Sequence, residues 1–337
     1  MVAWEHVGGD LERGNLNTTV ANQTGPQAPG ARAKAPVETD RRLVGDLEEP
    51  RADRLYRRMR FIRRFEETLL ALFEEGVLNG TTHACIGQEA DAVAVMECLR
   101  PTDHVFSNHR CHGHFLARTG DAIGLLAEIM GKPQGVCGGI GGSQHLCAPG
   151  FKSNGIQGGI LPAAAGIALA NQLSRADGLS AVFMGEGTLG EGLVYETLNL
   201  ASLWRLPLFI VLEDNAWAQS TPSHVNLAGG IAERFAAFAI DVSEIDSTDV
   251  EQIHAIAAGA VERARETRAP SALIIHTYRL CHHSKNDDAR PEAEVEARWE
   301  LDPLEIHAQR LHEARRRAID QEVEAGLTAV LDTALRL

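Results

Sequence analysis

No apolar run in this chain is long enough to cross a membrane as a helix. None reaches the ~18–20 residues that a bilayer requires, and the longest small-residue segment, Ile160 to Ala170, is interrupted by Pro162. A helical membrane span is thereby excluded. The amino-terminal MVAWEHVGGDLERG is acidic and has no apolar core of the kind found in secretion signals, so a cytoplasmic location is expected. Positive charge is also scarce. The 32 lysines and arginines face 46 acidic residues, for a net charge of −14. Proteins that grip a nucleic-acid backbone concentrate Lys and Arg, so nucleic acid is not expected as a principal partner. The six cysteines (Cys85, Cys98, Cys111, Cys137, Cys147 and Cys281) show no CxxC spacing, and reduced intracellular thiols are expected. Cys281-His282-His283 sets soft ligands side by side, which leaves a zinc site there as an alternative.

What the chain does have is 337 residues, 44% of them hydrophobic, enough for one large or two smaller domains. Residues 1–45 are rich in Gly, Pro, Ala, Asn and Thr without periodicity and read as a disordered tail; residues 46–337 read as the folded domain. The centre of the argument is Ser180 to Pro222. The apolar run Ala181-Val182-Phe183-Met184 stops at Gly185-Glu186-Gly187, a helical pattern follows, Pro207 breaks it, and Leu208-Phe209-Ile210-Val211-Leu212 runs apolar without alternation. Unbroken apolar strands around an amphipathic helix predict a βαβ unit in an α/β fold, with a parallel sheet covered by helices on both faces. Ligands bind outside the carboxyl ends of such strands, where Glu186 and Asp214-Asn215 stand.

Gly185-Glu186-Gly187-Thr188-Leu189-Gly190 matches GxGxxG, with Glu213 at a plausible distance for a ribose ligand, and this supports a nicotinamide-dinucleotide dehydrogenase. Against it, Glu186 would face a pyrophosphate; at ~4 Å and an effective dielectric of ~20 such a like-charge pair costs about 4 kcal/mol. A hard cation between them reverses the sign, and Mg²⁺ takes oxygen ligands of the kind Glu186, Asn215 and a backbone carbonyl provide. A tight turn without ligand is the third reading.

The spacing of Gly185-Glu186-Gly187 and Asp214-Asn215 resembles the thiamine diphosphate motif, G-D-G followed some twenty-six residues later by N-N. The wider stretch, through Tyr195-Glu196, Asn199, Leu203-Trp204, Leu206-Pro207 and Ser220-Thr221, resembles the α subunits of the pyruvate, acetoin and branched-chain 2-oxo acid dehydrogenase first components. Glu186 replaces the usual Asp, Asp214 the first Asn, and Trp217 the usual Tyr. The resemblance implies a thiamine diphosphate-binding fold in which Glu186, Asn215 and the Trp217 carbonyl hold Mg²⁺, while Gly185, Gly187 and Thr188 lie against the cofactor.

Five further segments follow the family in order, and the likeness covers about residues 54 to 305. THACIGQEA (Thr82 to Ala90) resembles H-xx-GQEA and is assigned to scaffold, with Gln88 and Glu89 leading a helix. Asn108-His109-Arg110-Cys111-His112-Gly113 resembles YRxHG. This implies that Arg110 grips the diphosphate, that His109 stands in place of Tyr as a cofactor contact, and that His112 is an acid/base or substrate-orienting group. Gly138 to His145 resembles GKGGSMH, and Asn154 to Gly159 resembles NGIVGG, whose Gly155 and Gln157 would contact the aminopyrimidine ring. Tyr278 to Asp287 resembles TYRxxGHSxxD, which places His283 and Ser284 on cofactor and active-site duty. Gln219 stands where relatives carry an apolar residue facing the substrate; a buried amide there would suit a polar acyl group.

The implied function is that of an α subunit of an enzyme that decarboxylates a 2-oxo acid, or cleaves acetoin, and passes on the activated unit. No segment here resembles the activating glutamate that relatives carry on a β subunit. Half of a heterotetrameric enzyme is therefore expected, with a lipoyl carrier as a possible acceptor. An acyloin-forming carboligase and a non-catalytic descendant are the other readings. Elsewhere, Arg54 to Phe73 predicts an amphipathic helix whose many arginines form a solvated face or a subunit contact. Ala163 to Ala168 predicts a closely packed helix, Val250 to Thr267 another helix, Ala272 to His276 a strand, and Leu304 to Leu337 two helices.

Overall fold

The two apolar runs of the central stretch pair as adjacent parallel strands. In the computed structural model, which describes residues 40–46, 48–78, 80–284 and 287–337, nine strands occur among the described residues. They are β1 (His104–Ser107), β2 (Cys147–Ala148), β3 (Phe151–Ser153), β4 (Ser180–Gly185), β5 (Leu208–Asp214), β6 (Trp217–Ala218), β7 (Thr221–Pro222), β8 (Asp241–Asp246) and β9 (Ser271–His276). Seven form one sheet in the order β2-β3-β1-β4-β5-β9-β8, while β6 and β7 make a separate two-stranded ribbon. Only the β2–β3 pairing in the main sheet is antiparallel. β4 and β5 run in register from Ser180 opposite Leu208 to Gly185 opposite Glu213.

Both faces of the central strands are buried, which is why their sequences do not alternate. Phe183, Phe209, Val211, Leu273 and Ile275 point into one core with the helices Arg51–Glu74, Glu89–Glu97, Val250–Thr267 and Glu313–Arg336. Val182, Met184, Ile210, Leu212 and Ile274 point into the other, with the helices Ile160–Ser174 and Gly192–Leu203. The small residues Ala164, Ala165 and Ala168 are spent within this second core. The helix Val250–Thr267 starts where the Asp249 side chain accepts from the Glu251 amide, 3.0 Å away. The two expected C-terminal helices are Pro303–Ala308 and Glu313–Arg336.

Residues 1–39 of the expected tail lie outside the described residues. At its end, Arg41–Val44 forms a short helix and Leu43 is buried against the chain.

The arginines of Arg51–Glu74 correct the expectation of a solvated face. Arg63 is buried and donates from Nη2 to Glu89 at 3.1 Å and to Asp302 at 2.9 Å. Arg57, also buried, reaches Glu49 at 2.9 Å and Glu322 at 2.6 Å. These charges tie the first long helix to its neighbours. Arg63→Ala would strand two buried carboxylates and should lower the free energy of unfolding by about 3–5 kcal/mol. Arg317→Ala, in the exposed pair with Glu313, should change it by less than about 0.5 kcal/mol. Urea denaturation of the two variants side by side tests this, and equal effects would contradict the buried triad.

Candidate functional site

The sheet sets the position of the site. From β1 the chain crosses to β3 on one side, and from β4 it crosses to β5 on the other, so the loops leaving β1 and β4 part from each other at their carboxyl ends. Asn108-His109-Arg110 follows β1, Glu186 to Gly190 makes a single 3₁₀ turn after β4, and Asn215 follows β5. These loops, with Gly155 and Gln157 after β3 and His283 after β9, line a cleft of about 430 Å³, a size typical of small-molecule sites.

One wall carries oxygen. Glu186 is buried; its Oε1 accepts from the Ser223 hydroxyl at 2.9 Å and its Oε2 from the Asn215 amide at 3.3 Å. Burial and the neighbouring Asp214 push its carboxyl above the usual range, a carboxylate that a bound cation would stabilise. The Asn215 Oδ1 accepts from the Trp217 amide at 3.2 Å, while the Trp217 indole donates to Glu294 at 3.0 Å. The ring is thus turned away to Glu294. Ala216 and Gln219 adopt left-handed backbone conformations, φ 65° and 55°. The loop closes tightly on the glycine turn: a Cβ on Gly187 would stand 2.8 Å from that of Ala218. Glu186, Asn215 and a carbonyl of this loop are donors suited to a hard divalent cation.

Elsewhere the cleft lining carries positive charge and neutral imidazoles. Arg110 is buried, yet its hydrogen-bond acceptors are neutral: the Ala84 carbonyl at 2.6 Å and His283 Nδ1 at 3.3 Å. Arg279, buried behind the lining, donates to the Gln219 carbonyl at 3.3 Å and to Asn215 at 3.5 Å, and its Nη1 has no partner among the described residues. Burial and Arg110 bring its pKa down to about 10. His283 is pushed down to about 4 by burial and then by Arg110, and His83 to about 3 by the same two causes. Burial, then Arg110, also lowers His109. Guanidinium groups with only neutral acceptors suit an anionic ligand.

Most residues expected at the site meet here: His109, Arg110, Gly155, Gln157, Gly185, Glu186, Gly187, Thr188, Asn215, Trp217, Gln219 and His283 all line the cleft. Three expectations need correction. His112 is wholly buried away from it, between Glu66 (Nδ1 to Oε2, 3.1 Å) and Ser143 (Nε2 to Oγ, 3.0 Å). It ties a core helix to the glycine-rich loop instead of facing a reacting centre. Ser284 does not line the cleft; its hydroxyl donates to Asp287 at 2.9 Å. Gln219 does line it, but exposed in this chain, so the argument from amide burial does not hold for the chain by itself. Glu213, the ribose ligand of the dinucleotide reading, accepts from Asn108 at 3.2 Å and contacts His114 Nε2 at 3.1 Å.

Sequence reasoning missed His83, Gln88, Asn108 and Gln144 as cleft residues. His83 and Gln88 belong to the segment that the sequence pattern places in the scaffold. The glycine-rich loop itself is organised by one buried carboxylate: Glu128 accepts from the amides of Cys137 at 2.6 Å, Gly139 at 2.9 Å and Gly141 at 2.7 Å. Gly139 is obligatory there, with φ 79° and a Cβ position only 2.5 Å from the Gly131 backbone.

Comparison with known proteins agrees with this geometry. The family described as dehydrogenase E1 component matches residues 57–334. The chain is 35% identical over 292 residues to the pyruvate dehydrogenase E1 component subunit alpha of Zymomonas mobilis subsp. mobilis, covering 83% of this chain and 82% of that one. It is 38% identical over 245 residues to the subunit alpha of acetoin:2,6-dichlorophenolindophenol oxidoreductase of Bacillus subtilis, covering 72% and 74%. Among solved structures, a transketolase from Pichia stipitis matches with a TM-score of 0.54 at 19% identity, over 84% of this chain and 45% of that one. That likeness concerns the fold alone.

The electrostatics of the cleft can be tested directly. In Arg110→Met, removal of the neighbouring guanidinium should raise the His283 pKa from about 4 toward its ordinary 6.5. It should stop short of that value, because burial is the larger cause. Ring ¹⁵N shifts of selectively labelled histidine, followed against pH, measure this; an unmoved titration would contradict the contact.

Proposed function

The chain belongs to the dehydrogenase E1 component family, and we propose that it serves as the α subunit of a thiamine diphosphate-dependent enzyme. Its reaction is the decarboxylation of a 2-oxo acid or the cleavage of acetoin, with the activated acyl or aldehyde unit passed on. The observation that carries this is that one cleft is lined both by buried Glu186 and Asn215 and by buried Arg110, whose acceptors among the described residues are neutral. A magnesium diphosphate asks for both.

In this reading Glu186, Asn215 and the Trp217 carbonyl hold Mg²⁺. Arg110 holds the diphosphate with His109 and His283, whose neutral imidazoles can each donate and accept. Gly185, Gly187 and Thr188 let the backbone approach the phosphates, and Gly155 and Gln157 lie at the aminopyrimidine. Thiamine diphosphate, when bound, supplies the electron sink that decarboxylation needs. The chain's own residues bind it, orient it and fix the cation; Gln219 stands at the rim where substrate enters. The extra methylene of Glu186 relative to Asp is used, since its two oxygens already reach Ser223 and Asn215.

The remaining half of the site belongs to a β subunit in a heterotetramer, which provides the activating glutamate; a lipoyl carrier is the natural acceptor and the cytoplasm the proposed location. Exposed apolar side chains support a partner: Ile140 on the glycine-rich loop, Ile156, and Leu173 with Leu203 and Trp204. Gln172 donates to the Trp204 carbonyl and joins the ends of those two helices. Among the described residues, no helix is long and apolar enough to cross a membrane.

Two outcomes are expected. In the assembled enzyme, Asn215→Ala should weaken the calorimetric affinity for thiamine diphosphate with Mg²⁺ by tenfold or more, at least ~1.4 kcal/mol; unchanged affinity would remove the cation assignment. Purified alone, the chain should show no turnover of 2-oxo acids with an artificial electron acceptor, and should gain it when the β subunit is added. Robust turnover by the chain alone would show that the whole site lies in one polypeptide.

A further inference from the structure

Two of the six cysteines meet at the base of the glycine-rich loop. Cys137 enters the loop, and Cys147 leaves it as the first residue of β2. The Cys147 amide donates to the Cys137 sulfur at 3.0 Å, and that sulfur lies 3.8 Å from the Cys147 carbonyl oxygen. A sulfur so close to the other residue's amide puts the two α carbons within about 7 Å, and a disulfide spans ~4.4–6.8 Å. Both backbones are anchored there. The Cys137 amide donates to buried Glu128 at 2.6 Å, and Cys147 pairs with Lys152 of β3. Between them the chain doubles back so closely that a Cβ on Gly141 would stand 3.3 Å from that of Cys137. Bond formation therefore needs rotation of the Cys147 side chain and little movement of the main chain.

The other thiols are differently placed. Cys98, Cys111 and Cys281 turn their sulfurs to the carbonyls of Ala94, Ser143 and Ala84. Burial holds these three and Cys85 above the ordinary thiol range, and a thiol kept protonated is a poor nucleophile. Cys147 is exposed and Cys137 half-buried, which puts one sulfur within reach of an oxidant and the other beside it.

We propose that Cys137 and Cys147 form a reversible intrachain disulfide, a redox-sensitive clasp on the glycine-rich loop. The oxidant is a peroxide. The Cys147 thiolate attacks one peroxide oxygen, the O–O bond breaks, and a sulfenic acid forms while hydroxide leaves and takes the thiol proton as water. The Cys137 thiolate then attacks the sulfenic sulfur, the S–O bond breaks, and the departing hydroxide takes the second thiol proton. Two thiols and one H₂O₂ thus give one disulfide and two waters; each sulfur loses one electron, and the peroxide gains both. A dithiol reductant reverses the step by exchange. The clasp encloses Ser143, which holds His112 at 3.0 Å, and Gln144, which lines the cleft. Oxidation therefore fixes the length of chain that seats Gln144. The inference stands on the two sulfurs and does not depend on which cofactor the cleft receives.

The test uses the full-length chain assembled with its partner. The reduced enzyme is treated with limiting H₂O₂, denatured, alkylated without reductant and mapped by mass spectrometry. Loss of two hydrogens per chain is expected, with alkylation of Cys137 and Cys147 falling together by about tenfold or more and returning after dithiothreitol. Cys147→Ser should leave Cys137 open to alkylation after the same treatment, and Cys137→Ser should let oxygen adducts accumulate on Cys147; circular dichroism checks that each variant is folded. Undiminished alkylation of Cys137 in the oxidised wild-type chain, a disulfide joining separate chains, or protection of Cys137 that persists in Cys147→Ser would each overturn the assignment.

Discussion

The parallel pairing of β4 with β5 is the constraint on which the cleft depends. Gly185 stands opposite Glu213, so the turns that follow are neighbours and the Asn215 amide can reach Glu186. A slip of one residue would send every side chain to the opposite face. Here both faces are apolar, so hydrophobic pattern discriminates poorly between registers. Polar groups at the strand ends make the distinction instead. Glu186 is held by Ser223 and Asn215, and Glu213 by Asn108 and His114. Each of these buried carboxylates would be stranded in a slipped sheet, at a cost that apolar contacts alone would not impose. The same residues therefore specify the fold and furnish the site.

Charge is divided across the cleft with little cancellation inside the chain. Arg63 and Arg57, which do not line the cleft, are matched by carboxylates, whereas Arg110 and Arg279 bind carbonyls, an amide and an imidazole. Buried guanidinium is stable in structural positions when an acid neutralises it. Where the acid is withheld, the residual potential falls on whatever occupies the cavity. Glu186 shows the converse: burial, and then Asp214 nearby, disfavour its ionised form.

Much of this was legible in the sequence because it is local. Glu186 and Asn215 sit at the ends of two apolar runs, and strand-end placement in a parallel sheet follows from pattern alone. Arg110, Gly155, Gln157 and His283 needed the family resemblance, since no spacing rule joins segments so far apart. His112 misled for a physical reason. It lies only two residues from Arg110, but it begins the helix His112–Thr119 and turns inward to Glu66. A motif gives adjacency in sequence and not the direction of a side chain. The buried role of Arg63 was invisible for a similar reason: Asp302 lies 239 residues away, and solvated and paired arginines look alike in a helical pattern.

The grip of Glu128 on the glycine-rich loop has a consequence for association. A free segment with this much glycine would lose more backbone entropy on docking than most sequences. Three amides bound to one buried carboxylate remove much of that freedom while the chain folds, before any partner arrives. Ile140, almost fully exposed at the crest of this loop, is then presented in a fixed position, and the ordering term that usually weakens loop-mediated recognition is small. Flexibility implied by composition is thus reduced by a single acid from a neighbouring helix, and the loop is already ordered for any partner.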